Sequence, residues 1–156
     1  MGWFSGVPPA FHTVAMSNVA VPLTGTVAET VLATIALPAN VLGPNGQCKI
    51  FAHWSYTNSA NTKTMRYRLG AAGAGIAGTS LYGFNRTTQL SDAYVLAVGN
   101  RNALNAQLSH VVGVTGAKIT AAINTGAAFE IALTGLLAVA GETLTLEAYC
   151  VELLRS

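Results

Sequence analysis

The stretch GPNGQCKIFAHWSYTNSANTKTMRYRLG, residues 43–70, constrains this chain more than any other. Cys48, Ile50, Ala52, Trp54 and Tyr56 alternate with the mostly polar set Gln47, Lys49, His53 and Ser55. Side chains that change face at every residue are the mark of a strand, so this run has one face to bury and one to wet. Residues 64–69 repeat the pattern, with Met65, Tyr67 and Leu69 set against Thr64, Arg66 and Arg68. Between the two lies TNSANTK, rich in Asn and Ser, which bond locally to backbone and tolerate left-handed conformations. Ahead of the first strand, Gly43-Pro44-Asn45-Gly46 is a turn: Pro fixes φ and Asn-Gly accepts positive φ. The stretch therefore predicts a turn and a β-hairpin carrying the bulkiest apolar side chains of the mid-chain on one face. The rest of the chain reads as strands that cover that face.

With 156 residues, the chain has the size of one domain and can bury a core without staples. Apolar residues make up 51% and charged residues only 9%, well under the usual ~25%. A surface so poor in charge points either to a membrane or to partners. The best apolar run, AAFEIALTGLLAVA at 127–140, is interrupted by Glu130, Thr134 and Gly135, and is shorter than the ~18–20 residues of a spanning helix. Partner contact is the expectation, and no membrane association is expected. Residues 1–12 show neither the basic nor the apolar region of a secretion leader, so none is expected. Net charge is +2 without a basic cluster. Arg66 and Arg68, with Lys63 nearby, read as a short solvated stripe, and nucleic acid is not an expected partner. Cys48 and Cys150 both fall on expected core faces and are read as two reduced thiols.

Residues 1–25 carry Pro8, Pro9 and Pro22 among Trp3, Phe4, Phe11 and Met16. Pro-Pro excludes helix there and favours extended backbone. This segment is expected to be an arm, with a possible short strand at 13–16, ordered by a neighbouring subunit, by a larger shell, or by its own domain, the first two being preferred. Residues 26–156 form the domain. Strands are expected at 29–37, at the two runs above, at 81–84, 93–98, 106–112, 118–123, 127–133 and 143–154. In the last of these, Leu144, Leu146, Ala148 and Cys150 are expected to face inward. Beyond Cys150 both faces turn apolar, so Val151, Leu153 and Leu154 are expected to touch another subunit. About eight short strands without a sustained 3.6-residue stripe predict an all-β sandwich or barrel.

Motifs for chemistry are sparse. GAGIAG at 73–78 matches G-x-G-x-x-G, but no helix follows and no acidic residue lies about 20 positions on, so a loop is the better reading. His12, His53 and His110 have no metal-ligand spacing. Six carboxylates are present, Glu29, Asp92, Glu130, Glu142, Glu147 and Glu152, without a pattern that pairs two across a cleft as glycoside hydrolysis requires. There is no nucleophile elbow, Walker sequence or Cys/His dyad. Neither enzyme activity nor a metal or other cofactor is expected. Asn85-Arg86-Thr87 fits a glycosylation sequon that has meaning only on a secretory route. Trp54 and Tyr56 belong to the core face; an exposed aromatic platform for sugars is open only to Trp3, Phe4, Phe51 or Tyr82.

The run VAETVLATIALPANVLGPNGQCKIFAHWSYTNSANTKTMRYRLG resembles a segment recurrent in small structural proteins of tailed bacteriophages. In that group a Leu-Gly-Pro-Asn-Gly turn and a strand ending W-S-x-T-N-x-A-N-x-K-T precede an R-x-R-L/F-G strand. GNRNALNAQ and LTGLLAVAGETLTLEAYCVELL are similar to its later strands, so the resemblance covers about 27–154. It implies a single-domain, jelly-roll-like β-sandwich in the virion, as a capsid decoration (cement) protein, a head fibre or a tail part. The leading expectation is a non-enzymatic decoration protein on the capsid surface. It would clamp the phage major capsid protein and form a dimer or trimer, using Trp3, Phe4, Phe11, Met16, Val151, Leu153 and Leu154 as contacts. The alternative is a receptor- or glycan-binding module of a head fibre or tail.

Overall fold

The computed structural model describes residues 11–112 and 118–155. Eleven strands run in order: β1 (His12–Ser17), β2 (Val21–Leu23), β3 (Thr30–Leu37), β4 (Gln47–Tyr56), β5 (Lys63–Ala71), β6 (Thr79–Arg86), β7 (Ser91–Asn100), β8 (Gln107–Val111), β9 (Ile119–Ala121), β10 (Phe129–Leu137) and β11 (Leu144–Leu154). They build an all-β sandwich. One sheet has seven strands in the order β1-β11-β4-β7-β8-β9, with β2 also on β11; the other has four, β3-β10-β5-β6.

The topology is that of a long ribbon folded back on itself and rolled. β2 pairs with β11, β3 with β10, β4 with β7 and β5 with β6, all antiparallel. Successive partners of the ribbon fall in opposite sheets, which is the jelly-roll arrangement. β8 and β9 extend the larger sheet beyond β7.

This topology corrects the central hairpin. β4 and β5 have the alternation expected of them, but they lie in different sheets and face each other across the core. An apolar face is buried equally well beside a neighbour in one sheet or opposite it in the other, so the period alone does not choose between the two. TNSANTK is the corner that carries the chain from one sheet to the next. The hairpin lies one step later, between β5 and β6. Trp54, Ile50 and Ala52 of β4 meet Met65, Tyr67 and Leu69 of β5 and Ile131 and Leu133 of β10 in a core from which water is excluded. Cys48 also points inward, and burial pushes its thiol up, so it stays protonated.

Two corrections concern the ends. Residues 12–23 are extended as expected, but as β1 and β2 they lie in line along the edge of β11 in their own sandwich. Pro22 is tolerated there because an edge strand does not need every amide. In β11, a bulge between Leu146 and Ala148 inserts Glu147 opposite the step from Trp54 to His53. One extra residue reverses the face of everything that follows. Leu144 and Leu146 point inward before the bulge, and Val151 and Leu153 do so after it, none more than 1% exposed. The expected subunit contacts Val151 and Leu153 are therefore core residues, and Cys150, expected inside, is on the outer face. Leu154 is half-buried at the strand end.

Candidate binding face

The motifs that looked like chemistry are used internally. The glycine-rich loop folds over the smaller sheet, and the amides of Gly73 and Gly75 donate to Glu130 Oε2 and Oε1 at 2.8 and 2.6 Å. The anion that this loop holds is a carboxylate of its own chain. Lys63 is fully buried at the corner between β4 and β5, not solvated as its neighbours suggested. Its Nζ donates to Ser59 Oγ (2.7 Å) and the Asn61 carbonyl (2.9 Å) and pairs with Glu142 Oε2 at 3.3 Å. Hydrogen bonds from Ser59 and Asn61, with the Lys63 charge beside them, hold the Glu142 carboxyl below its ordinary range. The Asn- and Ser-rich segment is thus a cage for one ammonium.

Arg66 and Arg68 do share an outer face, and both close on Glu29. Arg68 is bidentate, with Nε to Oε1 at 2.7 Å and Nη2 to Oε2 at 2.8 Å, and Arg66 Nη1 reaches Oε2 at 2.6 Å. Asp92 accepts from Arg86 and from the Tyr56 hydroxyl. Burial, reinforced by Asp92, pushes that phenol up. Glu147 accepts from Ser55. Of the six carboxylates, Glu152 is the one left facing a groove, in register with Lys49.

The turns carrying Gly43-Pro44-Asn45-Gly46 and Asn100–Asn105 lock together. Asn100 Nδ2 donates to the Gly43 carbonyl (2.6 Å) and Thr125 Oγ1 (2.8 Å), and Gln107 Nε2 donates to Asn100 Oδ1 (2.8 Å) and the Ile123 carbonyl (3.0 Å). A Cβ on Gly46 would stand 1.8 Å from the Leu42 carbonyl oxygen, so this turn requires glycine. The most distinctive sequence motifs therefore hold the scaffold; they do not form a site.

What remains open is the outer face of the seven-stranded sheet. Lys49, Phe51, Val95, Val112, Cys150 and Glu152 line a depression of about 470 Å³. Its floor is a row that crosses the strands. Met16 on β1 stands beside Cys150, Cys150 beside Phe51, and Phe51 beside Val95, while the Val112 amide donates to the Val95 carbonyl at 2.9 Å. Met16 is 65% exposed, Val112 53% and Phe51 37%. At the rim, the Phe11 ring covers the Lys49 ammonium, 3.9 Å from the ring centroid. This is a contact of a cation with the negative face of a ring.

Of the expected contact residues, Phe11 and Met16 border this face, Val151 and Leu153 lie beneath it, and Trp3 and Phe4 are outside the described residues. Phe51 had been singled out only as one of four aromatics free to stand exposed. Cys150, Val95 and Val112 were missed; the parity shift at Glu147 hid the first, and the other two sit in runs without clean alternation. Among the described residues no group of three or more His, Cys, Asp or Glu side chains is placed to hold a metal. Among the described residues no helix is long and apolar enough to cross a membrane.

No family model and no curated protein sequence matches the chain. Among solved structures, it is similar to the CBM2 module of the evolved Dit of Lactobacillus casei BL23 phage J-1. That match has 10% identity over 76% of this chain and 67% of the other, with a TM-score of 0.40. It is also similar to lectin I of Ulex europaeus, solved with the methyl glycoside of α-L-fucose, at 8% identity over 96% and 93%, with a TM-score of 0.44. A structure of infectious bursal disease virus, Gx strain, matches at 10% identity over 96% and 42%, with a TM-score of 0.33. Likenesses this distant carry no argument about function.

Proposed function

We propose that this chain is a non-enzymatic structural protein of a tailed-phage virion, a capsid decoration protein that binds the outer surface of the head. The outer face of its seven-stranded sheet would lie against the major capsid protein and clamp neighbouring subunits. The observation that carries the reading is the apolar row from Met16 to Val112. Four strands and the residue after β8 contribute to a strip with exposed large side chains, bordered on one side by the Lys49–Glu152 pair, the anatomy of an interface core with a polar rim. The resemblance of residues 27–154 to phage structural proteins supplies the partner. Five carboxylates tied to internal donors leave no obvious acid–base pair, which supports a binding role over catalysis. With Val151 and Leu153 in the core, a homo-oligomer would have to form through another surface.

Co-sedimentation with undecorated heads of the encoding phage tests this. The protein should bind saturably, with a stoichiometry set by the shell lattice, and Phe51→Asp should abolish binding while leaving the fold intact. Failure of the wild-type chain to bind heads, with recovery in tail fractions instead, would overturn the reading. One feature favours a second reading, a glycan- or receptor-binding module of a head fibre or tail. The exposed Phe51 ring lies beside the cross-strand pair of Lys49 and Glu152, an aromatic surface with hydrogen-bonding neighbours.

A further inference from the structure

We infer that two copies of this chain pair face to face through the outer side of the seven-stranded sheet, about a two-fold axis that runs along the strands between β4 and β11. The strand register carries this. Lys49 on β4 stands opposite Glu152 on β11, Phe51 opposite Cys150, and His53 opposite Ala148. One strand further out, Val95 on β7 lies beside Phe51, and Met16 on β1 lies beside Cys150. A two-fold axis midway between β4 and β11 keeps each residue at its height along the strands and exchanges the two sides. It sets Lys49 over Glu152 of the second copy, Phe51 over Cys150, His53 over Ala148 and Val95 over Met16, each contact being made twice. In every pair a larger side chain meets a smaller one, and the two formal charges in these rows meet their opposites. Sheets stacked in this way keep their strands roughly aligned, a usual packing of two β-sheets. Within one chain the two charges are unused. Among the described residues no hydrogen bond or ion pair ties Glu152, and the Lys49 ammonium has the Phe11 ring beside it, not a carboxylate. Met16 and Phe51, 65% and 37% exposed, supply the apolar part of the contact.

The pairing stands on this geometry, and only its consequence rests on the proposed attachment face: the free dimer would cover the apolar row, and a shell would bind by replacing the second copy. A patch four strands wide, about 20 Å, is small for an interface, so the dimer is a reversible one. Sedimentation velocity from about 1 μM to about 1 mM should show monomer passing into dimer. Lys49→Glu and Glu152→Lys, each folded by circular dichroism, should each weaken the dimer at least about tenfold, because like charges then face each other twice. An equimolar mixture of the two variants should restore it, since each Glu of one chain then meets a Lys of the other. In the wild-type chain Cys48 is 1% exposed, so maleimide labelling reads Cys150, and its rate should fall as the dimer forms. A wild-type chain that stays monomeric overturns the inference, as does a mixture that associates no better than its components. So does a labelling rate indifferent to dimer formation, which would give the contact to another face. If the pairing behaves as expected but the protein does not bind heads, the dimer stands and the attachment reading fails.

Discussion

Deleting Glu147 tests whether one bulge sets the orientation of the whole end of β11. Without it, residues 148–154 keep pairing with β4 only in the opposite parity to Leu144 and Leu146. Either Val151 and Leu153 leave the core, or Leu144 and Leu146 do. Burial of one such side chain contributes about 1.5–3 kcal/mol, so two cost about 3–6 kcal/mol. Driving Cys150 and Glu152 inward adds to that. Against a total stability of about 5–15 kcal/mol, the deletion should remove a large fraction. Glu147→Ala is the control: it keeps the bulge and loses only the hydrogen bond from Ser55, about 1 kcal/mol. Urea unfolding followed by tryptophan emission suits both variants, because Trp54 pairs with Leu146 next to the bulge. At constant m, the midpoint shift reads stability directly. A deletion variant with the same midpoint as Glu147→Ala would refute the parity argument.

Trp54→Ala should cost about 3–5 kcal/mol, seen as a fall in thermal midpoint, because its indole is 0% exposed at the centre of the core. A loss under about 1 kcal/mol would mean that the ring is not packed as described. Gly46→Ala should fail to give soluble, folded protein, whereas Gly25→Ala, with no atom within 4 Å of the new Cβ, should fold with only the strain of its positive φ. Equal behaviour of the two in circular dichroism would contradict the turn geometry. Burial alone would raise the Glu29 carboxyl, but Arg68, Thr134 and Arg66 hold it below its ordinary 4.5. A lowered carboxyl contributes stability above its unfolded pKa, and that contribution is lost as pH falls through the folded value. Glu29→Gln should therefore lower the urea midpoint at neutral pH and matter less well below 4.5; an equal deficit at both would exclude the linkage.

Much of the strand content was legible, because alternation is a local signal. β4, β5, β7 and β8 match their expected positions within a few residues. Two kinds of information were not local. Which sheet a strand joins depends on the roll of the ribbon, so β4 and β5 read as a hairpin though they face each other. A bulge leaves no composition mark, so Glu147 looked like another outward residue while it reversed the faces beyond it. The site suffered most, since Cys150 was placed inside and Val151 and Leu153 outside. Lys63 was misread for a related reason: its cage comes from Ser59, Asn61 and Glu142, and the last is distant in sequence. The glycine-rich stretch read as a loop, but its partner Glu130 could be identified only in three dimensions.

β11 lies between β4 on one side and β1 and β2 on the other, and it follows all three in sequence. A chain emerging from a ribosome would therefore present β1, β2 and one edge of β4 without their β11 partner until that eleven-residue strand is released. Pairings such as Val21 with Leu146 close loops longer than a hundred residues, and contacts that distant are made late and slowly. During that interval the apolar side of β4, including Trp54, lacks part of its cover. Synthesis at high temperature or in excess should divert the chain to aggregates at this stage, before the native state exists. A C-terminal truncation that removes β11 would prolong that vulnerable interval indefinitely.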